Sequence, residues 1–233
     1  MVSEIKKYLS TISEDLREEI EKGKKISIFY LPQISRDDLV LSKTFLLSAD
    51  LGNFDFDMLR RVAVGLELLN LAVRCHYADL SADRHGLPAG RHGKIIDFNT
   101  SLILGDYFYA RAISLGAETG ESRVVKIMVE AIADISEAQT SKSYRNRKWL
   151  GKLSSLFGAS CYLGGILSRL SQEQVQALKI YGKNLGCAML TYSWGIEEVD
   201  PKDFIILAKQ ALKVFPENNS RASLEELADR LIK

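Results

Sequence analysis

The chain has 233 residues, of which 46% are hydrophobic and 26% are charged, and 31 Lys and Arg stand against 30 Asp and Glu. This composition excludes intrinsic disorder as the main state, and the formal net charge of +1 argues against a protein built chiefly to bind nucleic acid. Only 4 prolines and 16 glycines interrupt the sequence, which favours long helices over a many-stranded sheet.

The predicted elements are helical along nearly the whole chain. Apolar residues recur every three or four positions over 3–22 and again from about 55 to 73, where the helix is apolar nearly all round. Such a helix is expected at the centre of a bundle. A capping box from Ser171 to Gln174 opens another long helix. The remaining predictions are helices at 36–52, 94–117, 120–142, 145–170, 202–215 and 220–232, a weak strand at 26–31 and a loop at 78–93.

Two further properties bound the kind of protein. No segment reaches the roughly 20 uninterrupted apolar residues that a membrane-spanning helix requires, and the amino-terminal stretch has no apolar signal core. No repeat, low-complexity tract or long linker divides the chain. We therefore expect a cytoplasmic protein with a single domain over residues 1–233, without a transmembrane segment and without a nucleic-acid partner.

The stretch 78–93 and its edges contain all three histidines of the chain. Their spacing matches no compact zinc motif, so a solvated polar loop is favoured over a metal site, and anion binding ranks between the two. Asp79 and Asp83 stand at i and i+4 and could hold Mg²⁺ through carboxylate oxygens, although such a pair is more often a solvated turn. The histidines and the basic residues around them are His76, His85, His92, Arg84, Arg91 and Lys94.

A second basic stretch lies where two predicted helices meet, and no acid interrupts it. Such a run is usually the solvated end of a helix. Here it is also a candidate contact for a partner or a phosphate group, because cations placed together bind phosphate oxygens well. Its members are Lys142, Arg145, Arg147, Lys148 and Lys152.

Several short segments stand out when they are taken in chain order. They are Glu67-Leu68-Leu69-Asn70, Arg84-His85-Gly86-Leu87-Pro88, Leu104-Gly105-Asp106-Tyr107-Phe108, Ala138-Gln139, Lys152-Leu153-Ser154-Ser155-Leu156-Phe157 and Tyr181-Gly182-x-x-Leu185-Gly186-x-Ala188. No single segment is specific. The ordered set, which covers the chain from about residue 36 onward, resembles the trans-isoprenyl diphosphate synthases, also called polyprenyl synthetases.

The resemblance implies an all-α, isoprenoid-synthase-type helical bundle, shortened at the C-terminal side. In the family, a central cavity binds an allylic diphosphate through Mg²⁺ and condenses it with isopentenyl diphosphate. Carried over to this chain, the resemblance predicts a vestigial diphosphate-binding site, with no catalytic residue and no metal ligand. Its predicted members are Asp79, Asp83, Arg84, His85, Gln139 and Lys152.

The chain departs from the family at both aspartate-rich motifs, Asp-Asp-x-x-Asp, whose carboxylates hold the divalent ions that neutralise the departing diphosphate. Without a gap, Tyr77 and Ala78 stand at the first two aspartates, and a shift by two residues brings Asp79 and Asp83 to the outer positions. The second motif should follow Ala188, where the chain reads MLTYSWGIE, and no register restores it. The family's Gly-Lys-x-Arg segment for isopentenyl diphosphate is also missing.

The retained segments and the missing carboxylates together predict a regulatory, catalytically incompetent subunit of a two-component polyprenyl diphosphate synthase. It would resemble the non-catalytic small subunit, component 1, of heterodimeric bacterial enzymes such as heptaprenyl diphosphate synthase. We expect no cofactor in the chain alone and Mg²⁺ in a catalytic partner subunit, with a heterodimer or a larger assembly as the active form. A homodimer in isolation and an isoprenoid diphosphate ligand are further expectations. The alternatives are a divergent trans-prenyltransferase with weak or altered diphosphate activity and a stand-alone isoprenoid-binding pseudoenzyme.

Overall fold

The structure is a computed structural model that describes residues 2–24, 39–77, 98–141 and 146–230. These ranges contain ten α-helices, one short 3-10 helix and no strand, so the predicted all-α bundle is confirmed. The weak strand at 26–31 and the loop at 78–93 lie outside the described residues. The helices are α1 (Val2–Lys24), α2 (Val40–Ala49), α3 (Phe56–Tyr77), α4 (Phe98–Ala117), α5 (Ser122–Thr140), α6 (Arg147–Leu153), α7 (Ser155–Leu167), α8 (Gln172–Trp194), α9 (Pro201–Ala211), the 3-10 helix (Leu212–Val214) and α10 (Asn219–Arg230).

Helix α3 lies at the centre of the bundle, as its apolar pattern predicts. It packs along α4 and also contacts α1, α2, α5 and α7. Residues on opposite sides of α3, such as Leu66 and Leu68, are completely buried. A helix surrounded by others has no face left for polar side chains, which is why its sequence is apolar nearly all round.

One charged residue, Glu67, is nevertheless buried in the middle of α3. Its carboxylate oxygen accepts a hydrogen bond from the backbone N–H of Ser42 at 2.7 Å, and the N–H of Leu41 also bonds to it. Both N–H groups belong to the first turn of α2, whose own N-cap residue, Leu39, provides no side-chain cap. Glu67 therefore caps α2 from a neighbouring helix. Burial raises the pKa of Glu67 to about 7, although these hydrogen bonds oppose the shift.

Glycines allow α7 to lie directly against α2 and α8. A Cβ atom at Gly164 would lie 2.5 Å from the backbone oxygen of Phe45 in α2, and one at Gly182 would lie 2.3 Å from the backbone oxygen of Phe157. Neither crossing leaves room for a larger side chain. Thr44 and Ser160 add a buried hydroxyl–hydroxyl hydrogen bond of 2.9 Å between α2 and α7.

The last described helix, α10, is held by two polar contacts. The hydroxyl of Tyr181 in α8 is fully buried and donates a hydrogen bond to the backbone oxygen of Leu224 at 2.8 Å. At the start of α10, the hydroxyl of Ser220 donates to the carboxylate of Asp50 at 2.7 Å. The C-terminal segment is thus tied to both α8 and the end of α2.

Helix α1 is attached to the bundle by two ion pairs as well as by its apolar stripe. Asp15 accepts hydrogen bonds from the guanidinium of Arg60 in α3. Glu19, which is buried, accepts from Arg111 in α4 at 2.6 and 3.1 Å. Burial acts to raise the pKa of Glu19, but the hydrogen bonds from Arg111 and Lys22 outweigh it and lower the pKa. The carboxylate therefore stays ionised in the folded protein at neutral pH.

The observed helix boundaries test two expectations from the sequence. The helix predicted over 145–170 is wrong as a single element, because Ser154 breaks it into α6 and α7. The hydroxyl of Ser154 donates to the backbone oxygen of Gly151 at 3.2 Å, a bond that competes with regular helical geometry. The capping box at Ser171 is confirmed, with reciprocal hydrogen bonds between Ser171 and Gln174.

Among the described helices, none is long and apolar enough to cross a membrane.

The buried carboxylate of Glu67 predicts a specific pH dependence of stability. Below the ordinary pKa of 4.5 the group is protonated in both the folded and the unfolded chain. Between pH 4.5 and about 7 only the unfolded chain ionises, so the free energy of unfolding falls as pH rises. The loss over this window is on the order of 3 kcal/mol and is complete above the folded-state pKa.

Denaturant unfolding of the wild type and of Glu67→Gln between pH 4 and about 8.5 measures this contribution as a difference. The curve for Glu67→Gln should lack the fall that the wild type shows. Glu130→Gln, at an exposed position of α5, serves as the control and should follow the wild type. Parallel curves for the wild type and Glu67→Gln would contradict the assignment.

The contact between α8 and α10 gives a second stability prediction. Tyr181→Phe removes only the hydroxyl that bonds to Leu224, and we expect a loss of about 1 kcal/mol of unfolding free energy. Tyr192→Phe is the matched control on the same helix, because Tyr192 is 54% exposed, and it should change stability very little. Urea unfolding compares the two variants, and equal effects would show that the buried hydrogen bond contributes nothing.

Candidate functional site

The predicted site residues fall into two groups. Asp79, Asp83, Arg84 and His85 lie outside the described residues, and their assignment stays a prediction. Gln139 and Lys152 are described, at the end of α5 and in α6. The described parts of the candidate site are therefore the ends of α3, α5 and α8 together with α6 and the start of α7.

The end of α8 is where the second aspartate-rich motif is expected. The helix stops at Trp194 because Gly195 adopts a left-handed conformation, with φ of 59°, and its N–H donates to the carbonyls of Thr191 and Tyr192. Ile196 then donates to the carbonyl of Thr191 at 3.0 Å and buries its side chain. The chain has therefore left the helix before Glu197, so an i, i+1, i+4 set of acids cannot form on α8.

Trp194 packs where the missing motif would place a carboxylate. Its ring centroid lies 5.7 Å from that of Trp149 in α6, and both side chains are half-buried. The indole N–H of Trp149 donates to the backbone oxygen of Ala138, next to Gln139, at 3.0 Å. The space between α5, α6 and α8 is thus occupied by an indole pair, which offers no ligand to a divalent cation.

Magnesium needs several oxygen ligands from carboxylates, carbonyls or water. Within the described ranges, no group of three or more His, Cys, Asp or Glu side chains could hold a metal ion. At the described ends of α3 and α8 the chain has Tyr77 and Ser193 at positions where the aspartate-rich motifs of the resemblance have an acid. The described residues therefore do not fit the metal cluster that the family resemblance implies.

Lys152 points toward α5, where it forms an ion pair with Glu137. The lysine side chain is 23% exposed, whereas that of Glu137 is 70% exposed, so Glu137 is the more solvent-exposed partner of the pair. Arg147, another member of the basic stretch, bonds to Asp203 in α9 at 2.6 Å and lies over the ring of Phe204. Two cations of this stretch are thus already bonded to carboxylates of the same chain.

Sequence reasoning missed a second ion pair beside Lys152. Asp134 lies one helical turn before Glu137 and accepts a hydrogen bond from the Ser155 hydroxyl at 2.6 Å. The same oxygen of Asp134 lies 3.9 Å from the ammonium group of Lys183 in α8. The i, i+3 spacing of the two acids was a signal that they share a face of α5, but their partners come from helices that are distant in sequence.

The end of α3 approaches α4 closely. The imidazole of His76 lies on Gly105, where a Cβ atom would be 2.0 Å from the ring, and its Nε2 atom is 3.2 Å from a carboxylate oxygen of Asp106. A cleft of about 30 Å³ opens beside it, room for about one water molecule. It is lined by Ala72, Val73, His76, Tyr109, Ile132, Ile135 and Ser136.

Comparison with curated proteins gives relatives of one kind. Heptaprenyl diphosphate synthase component 2 of Geobacillus stearothermophilus is 27% identical over 157 residues, which cover 60% of this chain and 48% of that protein. The chain thus spans about half the length of the curated relatives that it matches. No protein-family model matches the chain.

Comparison with solved structures extends the similarity to nearly the whole fold. Decaprenyl diphosphate synthase from Rhodobacter capsulatus superposes with a TM-score of 0.75 at 21% identity, covering 99% of this chain and 97% of that one. Geranylgeranyl pyrophosphate synthetase from Pyrococcus horikoshii Ot3 gives 0.78 at 18% identity, with the same coverage. The homologues and structural neighbours of this chain are therefore trans-isoprenyl diphosphate synthases, and the family resemblance predicted from the sequence is confirmed.

Proposed function

We propose that this chain acts in the cytoplasm as the regulatory, catalytically incompetent subunit of a two-component polyprenyl diphosphate synthase. A catalytic partner subunit would supply both aspartate-rich motifs and the Mg²⁺ ions that they bind. This chain would pack against that partner and influence product chain length by lining the exit of the elongation tunnel. The assembly would be a heterodimer or a larger complex built from it.

The observation that carries the proposal is the end of α8. Ionising an allylic diphosphate builds up negative charge on the leaving group, which divalent ions must neutralise. The position that needs these ligands contains Ser193, Trp194 and a left-handed Gly195 instead. An indole pair and an early helix end are stable without metal, because they leave no uncompensated charge in the bundle.

The charges around α6 also favour a catalytically incompetent role. Lys152 and Arg147 are each bonded to a carboxylate of this chain, so their charge is already compensated. A site for a substrate diphosphate would instead present cations that lack internal partners. The Geobacillus relative is named component 2, which supports an enzyme of more than one component, whereas the assignment of this chain to component 1 rests on its missing carboxylates.

Exposed apolar side chains on α4 and α5 are compatible with binding to another chain. Leu102 and Ile103 in α4 are 42% and 52% exposed, and Val129 in α5 is 38% exposed. Contiguous exposed apolar surface is typical of protein interfaces, and Leu102 and Ile103 are neighbours in the sequence. A subunit that functions only in a complex has a reason to keep such a surface.

The proposal predicts a clear division of labour between this chain and a full-length prenyl diphosphate synthase from the same genome. Each protein is purified alone, and the two are also co-expressed. The assay contains Mg²⁺, an allylic diphosphate and isopentenyl diphosphate, and mass spectrometry reports the product length. The chain alone should transfer no prenyl group. The co-expressed proteins should elute as one complex and give longer products than the synthase alone.

Three outcomes would each contradict the proposal. Prenyl transfer by the lone chain would favour the divergent transferase. The absence of a complex, together with isoprenoid lipid that co-purifies with the lone chain, would favour a stand-alone isoprenoid-binding pseudoenzyme. A complex whose product length equals that of the synthase alone would remove the regulatory role.

A further inference from the structure

We propose that Asp134 and Glu137 form an internal gate that keeps phosphate-type anions away from Lys152 and Lys183. The two acids lie on one face of α5, and the two lysines reach them from α6 and α8. The inference deepens the proposed function, since it concerns the anion affinity of the same site. It explains how a bundle with lysines in this position would reject a diphosphate.

The two lysines are placed as an anion site would need them. The stem of Lys183 lies across Gly158, where a Cβ atom would be 2.6 Å from the lysine Cγ, so the course of this side chain depends on a glycine. Lys152 is only 23% exposed and is held at the junction of α5 and α6. Lysine binds phosphate as a compact point charge, and two restrained lysines on one side of a bundle favour such binding.

The two acids oppose the binding of phosphate by the two lysines. Asp134 and Glu137 contribute two negative charges against the two positive charges of Lys152 and Lys183, so the local charge is zero. Asp134 is also fixed by the 2.6 Å hydrogen bond from Ser155, which prevents it from swinging away freely. An incoming anion would have to approach both carboxylates within a Debye length, and this repulsion remains even if Glu137 turns toward the solvent.

The geometry further indicates that each acid acts on its own lysine. Glu137 pairs with Lys152, whereas Asp134 lies between Ser155 and Lys183 at the start of α7. The only other acid of α5, Glu130, lies one turn before Asp134 on the same helix face and cannot serve as an independent control. Glu217 and Glu226 are exposed and belong to the C-terminal segment whose helix α10 packs on α2 and α9. Charges removed there therefore test general electrostatics, whereas one removed at Glu137 tests the gate.

The test is calorimetric titration of inorganic pyrophosphate into four forms of the full chain at low ionic strength. They are the wild type, Asp134→Asn with Glu137→Gln, that pair with Lys152→Met, and Glu217→Gln with Glu226→Gln as a charge-matched control. Both amide substitutions keep the shape and a polar contact. We expect the first pair to tighten the dissociation constant about tenfold or more, since two like charges leave the site. Adding Lys152→Met should abolish this gain in affinity, and the control should have the same dissociation constant as the wild type.

Several results would overturn the gate. The first is equal pyrophosphate affinity of the wild type and the Asp134→Asn, Glu137→Gln pair. The second is an equal gain in affinity in the control. The third is a gain in affinity that persists when Lys152→Met is added. If the first pair fails to fold by circular dichroism, Glu137→Gln alone replaces it, because the side chain of Glu137 is 70% exposed. The single variant should then bind pyrophosphate more tightly than Glu226→Gln. Complex formation and product length are measured separately, so failure of the gate is distinguishable from failure of the regulatory role.

Discussion

The arrangement of the bundle depends on the buried carboxylate of Glu67. It reaches from the centre of α3 to the first turn of α2 and satisfies N–H groups that Leu39 leaves uncapped. An unpaired N–H in that apolar environment would cost roughly 1–3 kcal/mol, so the position of α2 on α3 is tightly specified. Because α2 in turn lies against Gly164 of α7, this contact sets where the second half of the molecule begins.

Close helix crossings continue from α7 to the candidate site. Gly182 and Gly186 bring α8 against Phe157, and the hydroxyl of Ser154 lies 3.3 Å from the sulfur of Cys187. Among the described residues, several of the segments that resemble the prenyl synthases lie where helices cross closely, as at Gly105, Gly182 and Gly186. Such residues are needed for this packing whether or not the cavity performs chemistry. A fold like that of the prenyl diphosphate synthases is therefore physically compatible with the absence of acids at the end of α8.

Periodicity and capping chemistry predicted most of the fold. The central position of α3 followed from its apolar residues, and the start of α8 followed from Ser171 and Gln174, because both signals act within one helix. The break at Ser154 was not predicted, since serine is common in helices and its bond to Gly151 is a local competition without a distinctive pattern. The capping role of Glu67 also escaped prediction, because its partners lie 25 residues earlier in the chain.

The candidate site was harder to predict for the same reason. The loss of the second aspartate-rich motif was readable from the sequence, because the residue types themselves are wrong for metal binding. The partners of Lys152 and Lys183 were not readable, since Glu137 and Asp134 reach them only through the packing of α5 on α6, α7 and α8. The even charge balance of the chain acquires a structural meaning here. In this part of the protein the carboxylates of Glu137 and Asp134 face Lys152 and Lys183, so the positive charge of these lysines is offset by acids of the same chain.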